Sequence, residues 1–355
     1  MKLSDQKLIG NALNDSCKTF VFSGYQLATE FKGAEVCWHG GQTSYWPEAT
    51  SIEDNSYFDL GSLTKVILTT SVIARLVDQN KLDVSLRVRE FIPEYKKSRL
   101  GEITLKKLLT HSSGLIGWFP FYLEKNTNVL ELFLKNENKF LLDEVPTKTV
   151  YSDLGFLLLG EVLKKGFGDL QTLFKREVLS PLNLVGIELG PLSFQKTVAT
   201  EYCLERKRLI QGEVFDHNTV HFGGVCAHAG LFSSAKNLLP WAREWLKAVQ
   251  GRSGWLSCKT AVEFVMAGQG GAESTWALGW DTKSKVFSSA GDLLSMESFG
   301  HLGFPGTSVW IDPRKSGIIV LLTNRIHPSR LDERIKRFRP FIHNLVAKSW
   351  ESHGS

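Results

Sequence analysis

The chain has 355 residues, of which 43% are apolar and 22% are charged, and these fractions are those of an ordinary soluble globular protein. Lysine and arginine number 42 against 37 aspartate and glutamate, a surplus too small and too dispersed to indicate nucleic-acid binding. No apolar run is long enough to span a membrane. A chain of this length is expected to form two interlocked subdomains around one cleft.

The five cysteines are scattered without Cys-x-x-Cys pairs, and their odd number argues against a disulfide framework. Residues 1–7 do not lead into the apolar segment of a secretion signal. We therefore expect a cytoplasmic protein, or a periplasmic or secreted one if a signal peptide has been removed. The sequence leaves the oligomeric state open.

The elements are predicted in the order strands, helices, strands. Residues 19–37 are apolar and β-branched with glycine between them, which is typical of two or three antiparallel strands. A long apolar helix follows Ser62, and further helices are predicted at 105–109, 129–134, 154–163 and 238–249. Strands are predicted again at 276–280, 298–301, 307–311 and 317–323, before a closing helix that begins near residue 329.

This order predicts an α+β fold, with an antiparallel sheet flanked by helices and a mainly helical inserted lobe. We expect residues 1–83 and 268–355 to form a discontinuous sheet domain, and residues 84–267 to form a mainly helical domain. Clefts usually lie where such lobes meet, so the active site is expected at the junction.

The most informative motif is Ser62-Leu63-Thr64-Lys65, at the start of the long apolar helix. Residues three apart are neighbours on a helix surface, so the Ser62 hydroxyl and the Lys65 amine should lie on one face. Burial disfavours the ammonium form, which makes such a lysine a usable base beside a nucleophile. The same spacing recurs at residues 4–7, 193–196 and 233–236, but none of these precedes a comparable apolar helix.

Two further segments complete a site if they converge on Ser62. Tyr151-Ser152-Asp153 precedes an apolar helix, where a phenol can relay a proton, although a capping residue below a packed tyrosine explains the pattern equally well. Residues 300–306 contain three glycines, which suit a strand edge that substrate approaches closely or a simple hairpin. A backbone N–H from this segment and that of Ser62 can form an oxyanion hole.

Residues 62–65, 151–153 and 301–303 stand in the order of the three motifs of the serine β-lactamase-like superfamily, which the chain therefore resembles. This penicillin-recognising superfamily includes class C β-lactamases, DD-peptidases, D-aminopeptidases and related esterases. The resemblance covers about residues 58–324, and the spacing is most similar to that of class C-like members. It implies a β-lactamase/transpeptidase-like fold.

The resemblance implies a role for each matching residue. Ser62 would be the acylated nucleophile and Lys65 its general base or electrostatic partner. Tyr151 would carry a proton to the leaving group and later activate water. Gly303 and Phe304 would lie at the substrate, with the oxyanion between the backbone N–H groups of Ser62 and Phe304.

Two residues depart from the commonest form of these motifs. Asp153 stands where asparagine is common, and its carboxylate should stabilise the ammonium form of Lys65, which shifts the role of base towards Tyr151. His301 stands where lysine is usual, so a permanent cation is replaced by an imidazole. We expect this change to weaken binding of β-lactams and of C-terminal carboxylates.

We therefore predict a serine hydrolase that forms an acyl-enzyme on small esters or on D-amino-acid amides and peptides, including cell-wall fragments. The alternative is a binding or sensor protein of the same fold that does not turn over. No phosphate-binding glycine loop is present, and His111 and His228 lack a metal-ligand spacing, so no cofactor and no metal are expected. The expected partner is a small-molecule or peptide substrate, with no nucleic acid.

A basic cluster lies near the C-terminus. It consists of Arg325, Arg330, Arg334, Lys336, Arg337 and Arg339. Apolar residues recur through the same segment at helical spacing. We interpret the cluster as the solvent-exposed face of a terminal helix and assign it no function.

Overall fold

The structure is a computed structural model that describes residues 1–142, 149–271 and 273–351. The α-helices are α1 (Leu3–Lys18), α2 (Ser71–Asp78), α3 (Leu105–Leu109), α4 (Val129–Lys135), α5 (Glu137–Phe140), α6 (Asp153–Phe167), α7 (Leu170–Phe174), α8 (His217–His221), α9 (Ala235–Val249), α10 (Cys258–Val265) and α11 (Ile335–Glu351). Turns of π-helix lie at Lys65–Thr70 and Lys175–Leu179, and turns of 3₁₀-helix at Val88–Glu90, Pro93–Tyr95, Arg99–Glu102, Phe121–Leu123 and Phe194–Lys196.

The strands are β1 (Gly24–Phe31), β2 (Ala34–Gly41), β3 (Phe58–Asp59), β4 (Ile187–Leu189), β5 (Ala199–Cys203), β6 (Arg208–Gln211), β7 (Leu231–Ser233), β8 (Asp281–Thr282), β9 (Phe299–Leu302), β10 (Ser308–Asp312) and β11 (Gly317–Thr323). The main sheet has the order β2-β1-β11-β10-β9-β8, with every neighbouring pair antiparallel. Two small sheets, β3-β7-β4 and β5-β6, lie outside it. The fold is α+β, as predicted.

The centre of the main sheet joins the two ends of the chain, because β1 pairs with β11 from Tyr25–Thr323 to Phe31–Gly317. Every residue of β11 is buried. Val320 and Leu322 pack into one hydrophobic core with α9, while the alternating Ile319 and Leu321 pack into a second core with α1 and α11. Because helices cover both faces of the sheet, the side chains on both faces of β11 are buried. The strand sequence is therefore continuously apolar and does not alternate between apolar and polar residues.

Most of the predicted elements are confirmed, including the β1–β2 hairpin, α3 and the bounds of β11. The sequence interpretation missed α1, α10 and the short strands β4 to β7, which carry too few residues for a clear pattern. The division into domains at residues 83/84 and 267/268 stays a prediction. Within the described residues, no helix is both long enough and apolar enough to cross a membrane.

Two predictions of elements are wrong. The strand at 276–280 is a tight turn, in which Gly279 has φ +81° and the Ala277 N–H donates to the Trp280 carbonyl at 2.8 Å. These apolar residues are buried by packing rather than by strand pairing. The closing helix begins at Ile335 rather than near 329, because the preceding segment folds into turns that Arg325 holds through the carbonyl oxygens of Arg330 and Asp332.

Candidate active site

The Ser62 side chain is presented by a turn that a buried carboxylate holds in place. Asp59 accepts the Gly61 N–H at 2.8 Å and the Phe215 N–H at 2.9 Å. Gly61 has φ +53°, a conformation that favours glycine. Burial raises the pKa of Asp59 to about 7. This role of Asp59 could not be predicted from the sequence, because the hydrogen bond from the Phe215 N–H depends on tertiary structure.

The predicted pairing of Ser62 with Lys65 is present. The Lys65 Nζ lies 2.9 Å from the Ser62 Oγ, 2.6 Å from the Asp153 Oδ1 and 3.5 Å from the His228 carbonyl oxygen. Lys65 is completely buried, which by itself favours the neutral amine, yet Asp153 and Tyr151 outweigh burial and hold its pKa above the ordinary value. Lys65 is therefore an ammonium group at neutral pH.

Two hydrogen bonds join the helix that carries Lys65 to the segment that carries His228. The Thr64 Oγ1 accepts the Leu231 N–H at 3.2 Å, and the Thr69 Oγ1 donates to the Ala227 carbonyl at 2.6 Å. The turns at Lys65–Thr70 are π-helical, a distortion that is frequent at functional sites. These contacts hold the Lys65 ammonium against a rigid backbone.

Tyr151 lies on the other side of the Ser62 hydroxyl. Its hydroxyl interacts with the side chains of Ser62 and Lys65, and the Lys65 Nζ lies 4.9 Å from the centre of its ring. Tyr151 is 38% exposed as a residue, but desolvation at its hydroxyl raises its pKa, and the Lys65 ammonium acts in the opposite direction. The resting site therefore holds a neutral phenol beside an ammonium group.

His111 positions Tyr151. Its Nδ1 accepts the Ser152 N–H at 3.1 Å, and its ring centre lies 4.6 Å from that of Tyr151 and 4.4 Å from that of Trp276. Burial and the nearby Lys65 charge hold the pKa of His111 well below its ordinary value, so the ring is neutral. These contacts connect the segment that carries His111 to the segment that carries Tyr151.

His301, from the third motif, is buried at the wall of the site. Its Nδ1 donates to the Leu302 carbonyl at 2.8 Å, and its Nε2 has no partner among the described residues. Burial and the Lys65 charge lower the pKa of His301 to about 3. His301 is thus a neutral hydrogen-bond acceptor at physiological pH and not a titrating cation.

The segment after His301 forms the tight turn required for an oxyanion hole. The Gly303 N–H donates to the Thr307 carbonyl at 2.8 Å, so this N–H is not available to substrate. Within the described residues, the N–H groups of Ser62 and Phe304 donate to no protein acceptor. Phe304 and Ser62 therefore offer the free donors, and Gly303 shapes the turn.

Gly303 should tolerate no side chain. A Cβ at this position would lie 1.9 Å from the Thr307 Oγ1 and 2.5 Å from the Leu60 carbonyl oxygen. We expect Gly303→Ala to displace the turn and to lower kcat/KM for a p-nitrophenyl ester by about 100-fold, the loss typical of a misplaced oxyanion donor. The matched control is Gly254→Ala, where no atom lies within 4 Å of the added Cβ. Equal activity of the two variants would contradict this assignment.

Two cavities meet at Ser62. The first, which we name the basic cavity, has a volume of about 390 Å³ and includes Arg325, Arg330, Lys336 and Arg339 in its wall. The second, which we name the aromatic cavity, has a volume of about 190 Å³ and includes Trp118, Phe215, Asp216 and His228. Tyr151 and Phe304 border both. A substrate that spans the cleft would therefore place its scissile bond between the two.

The basic cluster is not simply a solvent-exposed helix face, because Arg339 is only 7% exposed. Its Nη2 donates to the carbonyl oxygens of Gly303 at 2.7 Å and Thr307 at 2.9 Å, while its Nε has no partner among the described residues. Burial lowers the pKa of Arg339 to about 9, so it remains charged at neutral pH. The interpretation as a solvated face is wrong for this residue.

Arg325 is the second buried arginine of the basic cavity, with 8% exposure. Its Nε donates to the Phe304 carbonyl at 2.9 Å, and its guanidinium lies 4.5 Å from the centre of the Phe304 ring. Its Nη1 donates to the backbone carbonyl oxygens of Arg330 at 3.3 Å and Asp332 at 2.9 Å. Within the described residues, neither Arg325 nor Arg339 forms a salt bridge, whereas Arg330 pairs with Glu201 and Lys336 pairs with Glu333. Glu333 and Asp281 also line the cavity, so Arg325 and Arg339 are the cations of its wall that lack a carboxylate partner at salt-bridge distance.

The comparison with known families agrees with this geometry. The Beta-lactamase family model matches residues 29–340. The chain belongs to the Beta-lactamase family. This confirms the resemblance drawn from the three motifs, and it makes the protein a member of a family of serine hydrolases that share the β-lactamase fold.

Two relatives and one solved structure show the range of the family. The chain is 30% identical over 343 residues to the N-acetylmuramyl-L-alanine amidase of Bacillus subtilis (strain 168), covering 87% of this chain and 75% of the relative. It is 26% identical over 305 residues to a provisionally named D-alanyl-D-alanine carboxypeptidase of Escherichia coli (strain K12), covering 76% and 69%. EstCE1, a hydrolase with promiscuous acyltransferase activity, superposes with a TM-score of 0.77 at 18% identity, over 98% of this chain and 100% of EstCE1.

Proposed function

We propose that this Beta-lactamase family member hydrolyses amide bonds of cell-wall peptides through an acyl-enzyme on Ser62, with a D-amino acid bearing a free carboxylate as the leaving group. The observation that carries the proposal is the contact of the Ser62 Oγ with the buried Lys65 Nζ at 2.9 Å, beside a cavity with two arginines that form no salt bridge with any described residue. Relatives named as a muramyl-alanine amidase and a D-alanyl-D-alanine carboxypeptidase support this substrate class.

In the acylation step, the Ser62 Oγ attacks the substrate carbonyl carbon. The Ser62 proton passes to the Tyr151 oxygen, while the phenol proton of Tyr151 passes to the leaving nitrogen, so that the C–N bond breaks without a free phenolate. The raised pKa of Tyr151 favours this relay, because it keeps a transferable proton on the phenol at neutral pH. The Lys65 ammonium stabilises negative charge that develops on either oxygen.

The tetrahedral oxyanion would lie between the free N–H groups of Ser62 and Phe304. Both donors are held by buried polar side chains, because Asp59 fixes the turn before Ser62 and Arg325 binds the Phe304 carbonyl. Such preorganised donors stabilise the transition state more than the ground state. Deacylation repeats the relay with water as the nucleophile, and Tyr151 returns the proton to Ser62.

The basic cavity supplies the positive charge that His301 lacks. From the sequence, the neutral residue at position 301 predicts weak binding of carboxylates. Arg325 and Arg339 line the same cavity as Ser62 and form no salt bridge among the described residues, so we propose that carboxylate binding is retained. A guanidinium group without a carboxylate partner is well suited to bind one.

This part of the proposal can be tested with Arg339→Met. We expect the preference for a peptide with a free C-terminal carboxylate over its C-terminal amide, measured as the ratio of kcat/KM values, to fall by about 10-fold, the loss expected for one charge-assisted hydrogen bond. The ratio is informative even if loss of the Arg339 contacts displaces the Gly303 turn and slows hydrolysis of both substrates. Arg337→Met, on the exposed side of α11, is the matched control and should leave the ratio unchanged. An unchanged ratio in Arg339→Met would contradict the assignment.

The function itself is tested by the release of D-alanine from a muramyl-type peptide that ends in D-Ala-D-Ala, beside a D-amino-acid amide and p-nitrophenyl acetate. We expect release of D-alanine from the peptide and slower release of D-alaninamide from the corresponding C-terminal amide. Activity on the ester alone would favour an esterase instead. An acyl adduct that forms on Ser62 but persists without turnover would favour the non-hydrolytic binding protein.

A further inference from the structure

A second cluster of reactive side chains lies outside the cleft, at the turn between β5 and β6. The Cys203 Sγ lies 3.1 Å from the His217 Nε2 and 3.5 Å from the Glu205 Oε2, and one donor atom from each residue falls within 4.8 Å of the others. The catalytic arrangement uses none of these three residues. Sulfur, imidazole nitrogen and carboxylate oxygen are the three ligand types that zinc takes from proteins.

The turn prepares Cys203 to act as a ligand. Cys203 ends β5, and the Arg206 N–H donates to its Sγ at 3.3 Å. This contact fixes the position of the sulfur within the turn, and a bound ion would take the place of the thiol proton. Lys207, with φ +52°, closes the turn into β6, and Glu205 lies within the same turn.

His217 reaches the turn from the first residue of α8, whose N-cap is Asp216. Its Nε2 is directed at the Cys203 Sγ, 3.1 Å away, and this ring nitrogen is the atom that would bind the ion. The Tyr122 ring packs on the imidazole with centres 4.9 Å apart. These contacts hold the imidazole in place before any ligand is bound.

Hydrogen bonds from the Arg206 side chain also connect the turn to the backbone just before His217. The Arg206 guanidinium donates to the carbonyl oxygens of Val214 at 3.0 Å and Phe215 at 3.3 Å. Contacts of Arg206 and Tyr122 therefore hold the three ligand atoms close together, in addition to the contacts among the ligands. A preorganised ligand set binds metal more tightly than one that must be assembled on binding.

We infer that Cys203, Glu205 and His217 form a binding site for a divalent transition metal of the zinc class, separate from the serine hydrolase chemistry. In a tetrahedral zinc site the ligand atoms are separated by roughly 3.3–3.7 Å, so the sulfur–oxygen distance already fits and the sulfur–nitrogen distance must open slightly. One thiolate and one carboxylate balance the charge of the ion. Glu205 is exposed, which leaves the fourth position to water.

The site has a structural consequence for the cleft. Phe215 and Asp216, which lie directly before His217, line the aromatic cavity beside Ser62. A metal that joins the β5–β6 turn to His217 would stiffen this wall. The inference does not depend on the proposed hydrolysis, because metal binding is measured without substrate.

Cobalt(II) titration of the purified, reduced 355-residue chain tests the site. We expect one cobalt ion per chain, with a sulfur-to-cobalt charge-transfer band and the intense visible bands of tetrahedral cobalt. Zinc should displace cobalt and should raise the melting temperature of the parent. Cys203→Ser should abolish the charge-transfer band and the zinc-dependent rise in melting temperature.

Two further variants keep the test decisive. Cys258→Ser is the matched control, because Cys258 is an exposed free cysteine that belongs to no cluster of ligand side chains in the described part of the chain, and this variant should bind cobalt as the parent does. His217→Gln retains the thiol and should weaken cobalt binding by at least 10-fold, which covers the case in which Cys203→Ser fails to fold. Absence of the band in the parent, or its persistence in folded Cys203→Ser, would overturn the inference.

Discussion

Replacement of Ser62 by alanine is expected to abolish turnover while leaving the fold intact. The Ser62 Oγ is the hydroxyl at 2.9 Å from the Lys65 ammonium and in contact with Tyr151, and only this atom is removed. Loss of a serine nucleophile typically costs about 10⁴-fold or more in kcat. The measurement is turnover of p-nitrophenyl acetate, combined with intact-protein mass after exposure to a fluorophosphonate.

The matched control is Ser193→Ala. Ser193 has the same three-residue spacing to a lysine, Lys196, but it is exposed and lies outside both cavities. The parent and Ser193→Ala should each gain a single adduct, and Ser62→Ala should gain none. An adduct that survives in Ser62→Ala would place the nucleophile elsewhere and would contradict the assignment.

Replacement of Asp153 by asparagine is expected to lower the free energy of unfolding by about 3 kcal/mol at neutral pH, the cost typical of breaking a buried ion pair. The Asp153 Oδ1 is the carboxylate oxygen 2.6 Å from the Lys65 Nζ, and the Lys65 side chain is completely buried. The variant must either hold an unpaired ammonium in the protein interior or release its proton. Both outcomes favour the unfolded state.

The pH dependence of this loss identifies Lys65 as its origin. In the parent, the raised pKa of Lys65 means that its contribution is fully present below the unfolded-state pKa of about 10.4 and is lost only above it. In Asp153→Asn, burial should lower the pKa of Lys65, so the unfolded state binds more protons and stability rises as pH increases towards about 10. The deficit of the variant should therefore shrink between neutral pH and about pH 10.

Urea unfolding of both proteins across this pH range measures the deficit. The matched control is Glu161→Gln on the same helix, α6, where Glu161 pairs with Lys164 at the same 2.6 Å but the lysine is 43% exposed. That pair should contribute no more than about 0.5 kcal/mol, with little dependence on pH in this range. A deficit for Asp153→Asn that stays constant with pH would show that Lys65 is not its source.

Some of the site could be predicted because its geometry is local. The contact between Ser62 and Lys65 follows from a spacing of three residues on one helix, which any helix of suitable burial would produce. The prediction that Asp153 favours the ammonium form of Lys65 agrees with the direction of its pKa, because the effect depends only on a short distance between opposite charges.

Other features could not be predicted because they depend on which segments meet. A pattern of arginines at helical spacing is the same whether the helix faces water or a cavity, and only packing shows that Arg339 is buried against the Gly303 turn. Asp59 acquires its role from the Phe215 N–H, 156 residues away along the chain. Cys203 and His217 carry no recognised ligand spacing, and only the β5–β6 turn brings them together.

The fold class could be predicted from hydrophobic periodicity, and the family from the resemblance carried by the three short motifs, because both are local properties of the chain. The protonation state of His301 and the charges that line the two cavities required the tertiary structure. The pKa of a buried group and the electrostatic potential inside a cavity depend on every charge within a few ångströms. These charges come from segments that are remote in sequence. His301 is neutral, and Arg325 and Arg339 line the cavity beside Ser62, for that reason.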